Sequence, residues 1–255
     1  MPATSAAVLR RVTATEARLY LREPGALFFG LFFPTVLLLA LGLLMPWADE
    51  PFGASPPFSR ITAITGYTPI VLALAIGTVA YTTFPPTMAT YREKGVLRRL
   101  STTPLPPSRL LVAQIAVNVA MLLLASGLAL VGAAAVLGIL MPADPLVVLL
   151  AFVAGAASSM AVGALIAAVA PTTGAATGSG MLVYMTSLFF AGVWFPLPLM
   201  PEVVQTISRF TPLGAASQAL AAGWYEGRFP VVELLVMAAW TVVLIPVAAK
   251  LFRWR

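Results

Sequence analysis

The sequence predicts an all-α integral membrane protein with six transmembrane helices, and three observations carry that prediction. Of the 255 residues, 60% are hydrophobic and only 9% are charged, whereas soluble domains run at about 25% charged. Six stretches each approach the roughly 20 apolar residues that a helix needs to cross a hydrocarbon core about 30 Å thick. The charges that do exist gather between these stretches and leave their middles uncharged.

Residues 1–24 read as a helix lying in the membrane interface. Val8, Val12 and Leu19 share a face, with Leu9 and Tyr20 at its margin, and Arg10, Arg11, Arg18 and Arg22 lie opposite. Glu16 and Glu23 fall on the apolar side, against that pattern. Pro24-Gly25 breaks the chain before it turns inward. The spans then read as residues 26–47, 61–84, 110–140, 146–170, 178–195 and 231–252, so that 1–255 form a single transmembrane domain. The first stretch exceeds the apolar run of about 7–15 residues in a secretion signal, and Met45-Pro46-Trp47 closes it as a retained span. The third is long enough to tilt. Glu233, in the first turn of the last span, and Lys250, near its end, are placed to reach the headgroups.

Lysine and arginine near span ends set orientation. Arg10, Arg11, Arg18 and Arg22, then Arg92, Lys94, Arg98, Arg99 and Arg109, then Lys250, Arg253 and Arg255 fall on one side. Only Arg60, Arg209 and Arg228 fall on the other. Both termini and the basic loop between spans two and three are therefore expected in the cytoplasm. An even number of spans agrees.

Much chemistry is excluded. With no Cys and no His there is no disulfide, thiolate metal site or imidazole base. Asp49, Glu50, Asp144, Glu202 and Glu226 lie in expected external segments, and the spans lack the mid-membrane ionisable group of a proton-driven carrier or intramembrane enzyme. Neither lysine sits in a Gly-Lys-Ser/Thr phosphate loop: Lys94 is in Glu-Lys-Gly-Val and Lys250 in Ala-Lys-Leu-Phe. Gly178-Ser179-Gly180 lacks a third dinucleotide-loop glycine, because Val183 stands there. The chain is expected to be no enzyme and to bind no metal, cofactor or nucleic acid itself. A secondary carrier or channel is the alternative class.

Two segments between spans carry more information. Residues 91–100 read as a short helix with Val96, Leu97 and Leu100 on one face and Arg92, Arg98 and Arg99 around it; Pro104, Pro106 and Pro107 end it. Composition favours a basic loop touching anionic lipid; the apolar ridge is the feature that would allow docking on a cytoplasmic partner instead. In residues 191–214, Pro196, Pro198 and Pro201 interrupt the chain. Val203, Val204, Ile207 and Phe210 then recur at helical spacing, Thr211-Pro212 stops that helix, and residues 215–222 allow another. Such half-length apolar pieces suit interfacial or re-entrant helices. Within the spans, Gln114 and Asn118 share a face of span three, where they reach either a translocated substrate or, the favoured reading, a neighbouring helix. Ser159-x-x-x-Gly163 and Gly174-x-x-x-Gly178 permit close helix contact. Tyr67, Tyr81, Tyr184, Phe189 and Phe190 fit core packing or a lipid face better than an exit path.

These segments also carry a resemblance. Arg92-Glu93-x-Gly95-x-Leu97-x-Arg99-Leu100-x-x-Thr103-Pro104, followed by Leu110-Leu111-x-Ala113, resembles the cytoplasmic-loop signature of type-2 ABC exporter permeases. Gly192-Val-Trp-Phe195-Pro196, then Met200-Pro201 and Thr211-Pro212-Leu213, resembles that family's signature before the last span. Arg22-Glu23-Pro24-x-x-Leu27 with Phe33-Pro34 is similar to its start. The subgroup most resembled is the daunorubicin-resistance-type drug permeases. The resemblance implies a permease subunit in the bacterial plasma membrane that pairs with a second permease copy, as homodimer or heterodimer, and with a separate ATPase subunit that holds ATP and Mg. It implies that Arg92, Glu93, Gly95, Leu97, Arg99, Leu100, Thr103 and Pro104 form the helix that couples to that ATPase. Gly192, Phe195, Pro196, Pro201 and Pro212 would then shape an external re-entrant cap. The cargo so implied is a lipophilic metabolite, drug or lipid, as in efflux-based antibiotic resistance, with a lipid-linked polysaccharide as the alternative. Gln114 departs from the family pattern, as it replaces a common basic residue, and so does Ser217-Gln218.

Overall fold

Threonine, aspartate and proline decide where the helices start. The computed structural model describes residues 5–96, 99 and 108–252, all helix, turn or loop apart from one antiparallel bridge between Pro51 and Thr62. The interfacial helix is α1 (Ser5–Leu21). It leads through a single turn at Pro24–Leu27 into α2 (Phe28–Leu44). Then follow α3 (Ala63–Glu93), α4 (Ser108–Leu137), α5 (Pro145–Val169) and α6 (Thr173–Phe190). Two short helices, α7 (Glu202–Arg209) and α8 (Pro212–Ala221), precede α9 (Val231–Leu251). Thr62, Asp144, Thr172 and Thr211 cap α3, α5, α6 and α8, each side-chain oxygen accepting from an amide of the first turn, where intrahelical acceptors are lacking.

Among the described residues, four helices are long and apolar enough to cross a membrane: α3, α5, α9 and the Ala113–Leu137 part of α4. The apolar helix α2 is shorter, and α6 opens on a run of Thr, Gly and Ser. Several ends differ from the sequence reading. The first stretch stops being helical at Leu44, because a residue before proline (here Met45) avoids helical geometry. The second continues past Phe84 to Glu93. The third ends at Leu137, where Gly138 takes φ +60°. The fifth starts at Thr173, capped by Thr172, and ends at Phe190.

Two helices widen into a π-turn just ahead of a Phe-Pro pair: Phe28–Phe32 before Phe33-Pro34, and Thr78–Thr83 before Phe84-Pro85. Proline has no amide to donate and its ring crowds the carbonyl four residues back, so the turn opens. The second π-turn sits at the centre of the molecule. A Cβ on Gly163 of α5 would strike the carbonyl of Ala80, and one on Gly180 of α6 that of Tyr81. These two glycines let α5 and α6 close on α3 from both sides. Tyr81 is fully buried there, and Tyr184 is buried with its hydroxyl 2.8 Å from Thr78 Oγ1; both belong to the core.

Buried almost throughout, α3 is the axis of the bundle. On one flank α4 packs on α1 and α2; on the other α9 runs along α5, and α8 fills the space between α3, α5 and α9.

Candidate functional site

The end of α3 ties together the ends of α5 and α6. Pro171 has no amide, so the carbonyl of Ala167 has no donor four residues on. The Arg92 guanidinium supplies one at 3.2 Å and also donates to the carbonyl of Ala170. A cation at a helix C-terminus further complements its dipole. The neighbouring Glu93 does the converse. Its carboxylate accepts from the Thr173 amide at 2.9 Å and the Thr173 hydroxyl at 2.6 Å, at the positive start of α6. Thr90 Oγ1 lies 3.1 Å from the same hydroxyl.

Beyond Glu93 the helix stops. Lys94 and Gly95 form a turn, Gly95 takes φ +65°, and the carbonyl of Gly95 accepts from the Arg99 amide at 3.0 Å. The continuous helix over residues 91–100 expected from sequence is therefore broken. Tyr91, Arg92 and Glu93 belong to α3, and glycine redirects the chain in the left-handed region that other residues enter only at a cost. Arg99 is exposed and its guanidinium donates to the Lys94 carbonyl at 3.0 Å. Leu97, Leu100, Thr103 and Pro104 lie outside the described residues.

The same end holds a buried acid. Glu16, anomalous on the apolar side of α1, is 7% exposed and accepts from Tyr91 Oη at 2.5 Å and from Gln114 Nε2. Burial pushes its carboxyl above the ordinary glutamate value, and the two hydrogen bonds pull the other way. Asn118 Nδ2 donates to the Gln114 carbonyl at 2.8 Å. Gln114 thus joins α4 to α1 and α3, whereas Asn118 bonds only to Gln114 of its own helix. Asn118 Oδ1 is buried with no hydrogen-bond partner among the described residues. These side chains border a cavity of about 710 Å³ between α1, α3 and α4, where Glu23, Phe29, Lys94 and a row of threonines complete the wall.

At the opposite end α7 and α8 form a hairpin. Gly192 takes φ +84° just after α6, and Phe195 is half-exposed. Pro196 precedes a turn at Leu197–Leu199, Pro201 precedes α7, and Pro212 opens α8. Ser208 and Ser217 donate to the carbonyls of Phe190 and Ala191 at 2.6 and 2.7 Å, pinning the hairpin to the end of α6. The π-turn Ala222–Glu226 after α8 reaches the α4–α5 link, with Trp224 Nε1 on the Leu140 carbonyl at 2.9 Å. Val203, Ile207 and Phe210 turn outward while Ser208 is buried, so the apolar ridge of α7 faces the surroundings.

Glu233 does not reach toward headgroups. It is 1% exposed, with its Oε1 3.0 Å from Arg228 Nη1 and 3.3 Å from Arg209 Nε. Arg228 also pairs with Glu226 at 2.6 Å. Two arginines of the hairpin region thus converge on one carboxylate of α9, which is why that charge is tolerated indoors. Lys250 is exposed at the far end of α9. Phe52, Phe58, Tyr67 and Tyr225 make an edge-to-face aromatic cluster beside the hairpin, to which Trp47 adds through Tyr67.

Sequence reasoning missed the partners of Glu16 and Glu233. The signals were there: an acid on the apolar side of an amphipathic helix, and an acid opening an apolar span. A model of the ABC-2 type transporter family matches residues 8–225 of the chain. No curated protein matches the chain.

Proposed function

The chain belongs to the ABC-2 type transporter family, and on that premise we propose that it is the six-span permease of an exporter driven by ATP hydrolysed on a separate subunit. The family is a membrane transport component, not itself catalytic, and normally works with an ATP-binding subunit. In this reading the membrane is the bacterial plasma membrane, both termini are cytoplasmic, and two permease copies face each other.

The observation that carries the mechanism is the grip of Arg92 on α5 and of Glu93 on α6. The loop beginning at Gly95 docks on the ATPase. When ATP closes the two ATPase subunits, the loop is displaced and α3 moves with it. Because α3 holds the near ends of α5 and α6, the displacement reaches both helices without passing through lipid. At the far end the α7–α8 hairpin is the cap that must yield for release. A lipophilic cargo is supported by the absence of charge from a cavity of about 440 Å³ between α4, α5 and α9, where Phe84, Leu122, Phe152 and Met160 are among the walls.

Isolation of the tagged protein from its native membrane, followed by identification of what accompanies it, tests this reading. An ATP-binding subunit is expected to co-purify, with ATP-dependent transport in vesicles only when both are present. Transport by the permease alone, without ATP, would revive the carrier or channel and sink the exporter.

A further inference from the structure

We infer that the cavity between α1, α3 and α4 binds an amphiphile carrying a protonated amine, held by Glu16, Glu23 and Asn118. That such a ligand is cargo rests on the permease reading; that it binds rests on the cavity itself.

Lys94 apart, most side-chain donors on these walls are engaged, while several acceptors are left over. Tyr91 Oη and Gln114 Nε2 both donate to Glu16, and Asn118 Nδ2 donates to Gln114. The hydroxyls of Thr82 and Thr87 donate back to carbonyls four residues earlier, at 2.7 and 2.8 Å, which leaves their oxygens free to accept. What remains for a ligand is Asn118 Oδ1, 2% exposed and unpartnered among the described residues, the threonine oxygens and the carboxylates. A buried acceptor without a donor is costly, so the missing groups must come from outside.

Charge selects among donors. Two carboxylates face one ammonium, Lys94, across the cavity, which repels anions. No ion pair among the described residues involves Glu16, so its charge is buried against neutral donors alone. A cation beside it offsets the desolvation that burial imposes. The ligand's apolar part has its own place. Leu19 and Phe29 border the cavity and are 49% and 53% exposed, giving a greasy mouth at the interfacial helix. The volume of about 710 Å³ suits a drug-sized molecule.

The test uses the full-length permease, isolated with whatever subunits accompany it and placed in lipid nanodiscs, with a photoreactive dodecylamine as probe. Dodecylamine, dodecanol and dodecyl maltoside serve as competitors that share one tail. Labelling is expected within residues 16–29 and 114–118, with dodecylamine competing about tenfold better than the other two, the worth of one charge-assisted hydrogen bond. E16Q keeps an acceptor for Tyr91, and Glu23 is exposed, so E16Q/E23Q preserves the fold while lowering labelling by about tenfold. Equal competition by the maltoside would make this a polyol site and overturn the inference. Undiminished labelling of E16Q/E23Q would do the same. An ATPase that co-purifies without head-group selectivity removes the site and spares the permease. Amine-selective labelling without an ATPase supports the site and counts against the exporter.

Discussion

Glu93 closes on Thr173 twice over, taking the amide at 2.9 Å and the hydroxyl at 2.6 Å from the first residue of α6. The contact spans 80 residues of sequence and fixes where α6 begins. E93Q keeps one acceptor but loses the charge that complements the helix start, and T173V loses the hydroxyl. Each is expected to reduce transport per ATP hydrolysed by only a few-fold, because the contact is exposed to solvent and correspondingly weak. ATPase co-purification should be unchanged. Reconstituted transport with parallel phosphate release measures the ratio, and full coupling in both variants would remove Glu93 from the transmission path.

Gly95 tests the turn separately. A Cβ there meets nothing within 4 Å, so the cost of G95A is conformational, about 1–2 kcal/mol for leaving glycine's left-handed region. Asparagine tolerates that region better than alanine. G95N should therefore retain more coupled transport than G95A at equal membrane abundance. The reverse order would mean that the turn is not what matters at residue 95.

The hairpin depends on a shared carboxylate. E233Q leaves Arg209 and Arg228 with a neutral partner, and because both arginines are partly exposed the loss is held to about 1–3 kcal/mol. Thermal unfolding of the nanodisc-embedded protein should show a lower midpoint, and protease access to residues 199–211 should rise. E233L combined with R209L and R228L, which removes the buried charge with its partners, should recover part of that midpoint.

Docking of α1 is expected to weaken as pH rises. The folded state holds the Glu16 proton more tightly than an exposed glutamate does, since burial raises its pKa above 4.5. The undocked state therefore releases its proton first, and docking is lost progressively upward from about pH 4.5 through the raised value. Tyr91, Tyr20, Glu23 and Lys94 face the same cavity. Tyr20 stays protonated throughout, pushed up to about 12 by burial and by Glu23. A spin-label pair on α1 and α4 should lengthen across that window in the wild type and not in E16Q.

G163A and G180A place a methyl group against the carbonyls of Ala80 and Tyr81. Overpacking of this kind costs about 1–3 kcal/mol, and both variants should unfold at lower temperature. G178A, whose added carbon meets nothing within 4 Å, is the matched control.

Apolar runs and proline breaks were legible because each is a property of neighbours in sequence. The helix from Pro145 to Val169 could be read from Leu146 onward for that reason. Thr211-Pro212 was read as a stop, but the same pair also starts α8, with threonine as cap and proline in the first turn. What stayed hidden depends on partners far along the chain. Nothing near Glu16 in sequence announces Tyr91 and Gln114, and nothing near Glu233 announces Arg209. The loop signature marked Arg92 and Glu93 as important; it could not say that they grip helix ends, because those ends lie 75 to 80 residues away.

The shared carboxylate also bears on how the protein is made. The hairpin leaves the ribosome before α9, so Arg209 and Arg228 reach the membrane surface while Glu233 is still to come. Until the last helix inserts, two guanidinium groups have no buried partner and α8 lacks one of the three helices that enclose it. Formation of the buried ion pair is therefore coupled to the packing of α9: the hairpin is locked only once α9 has docked against α8.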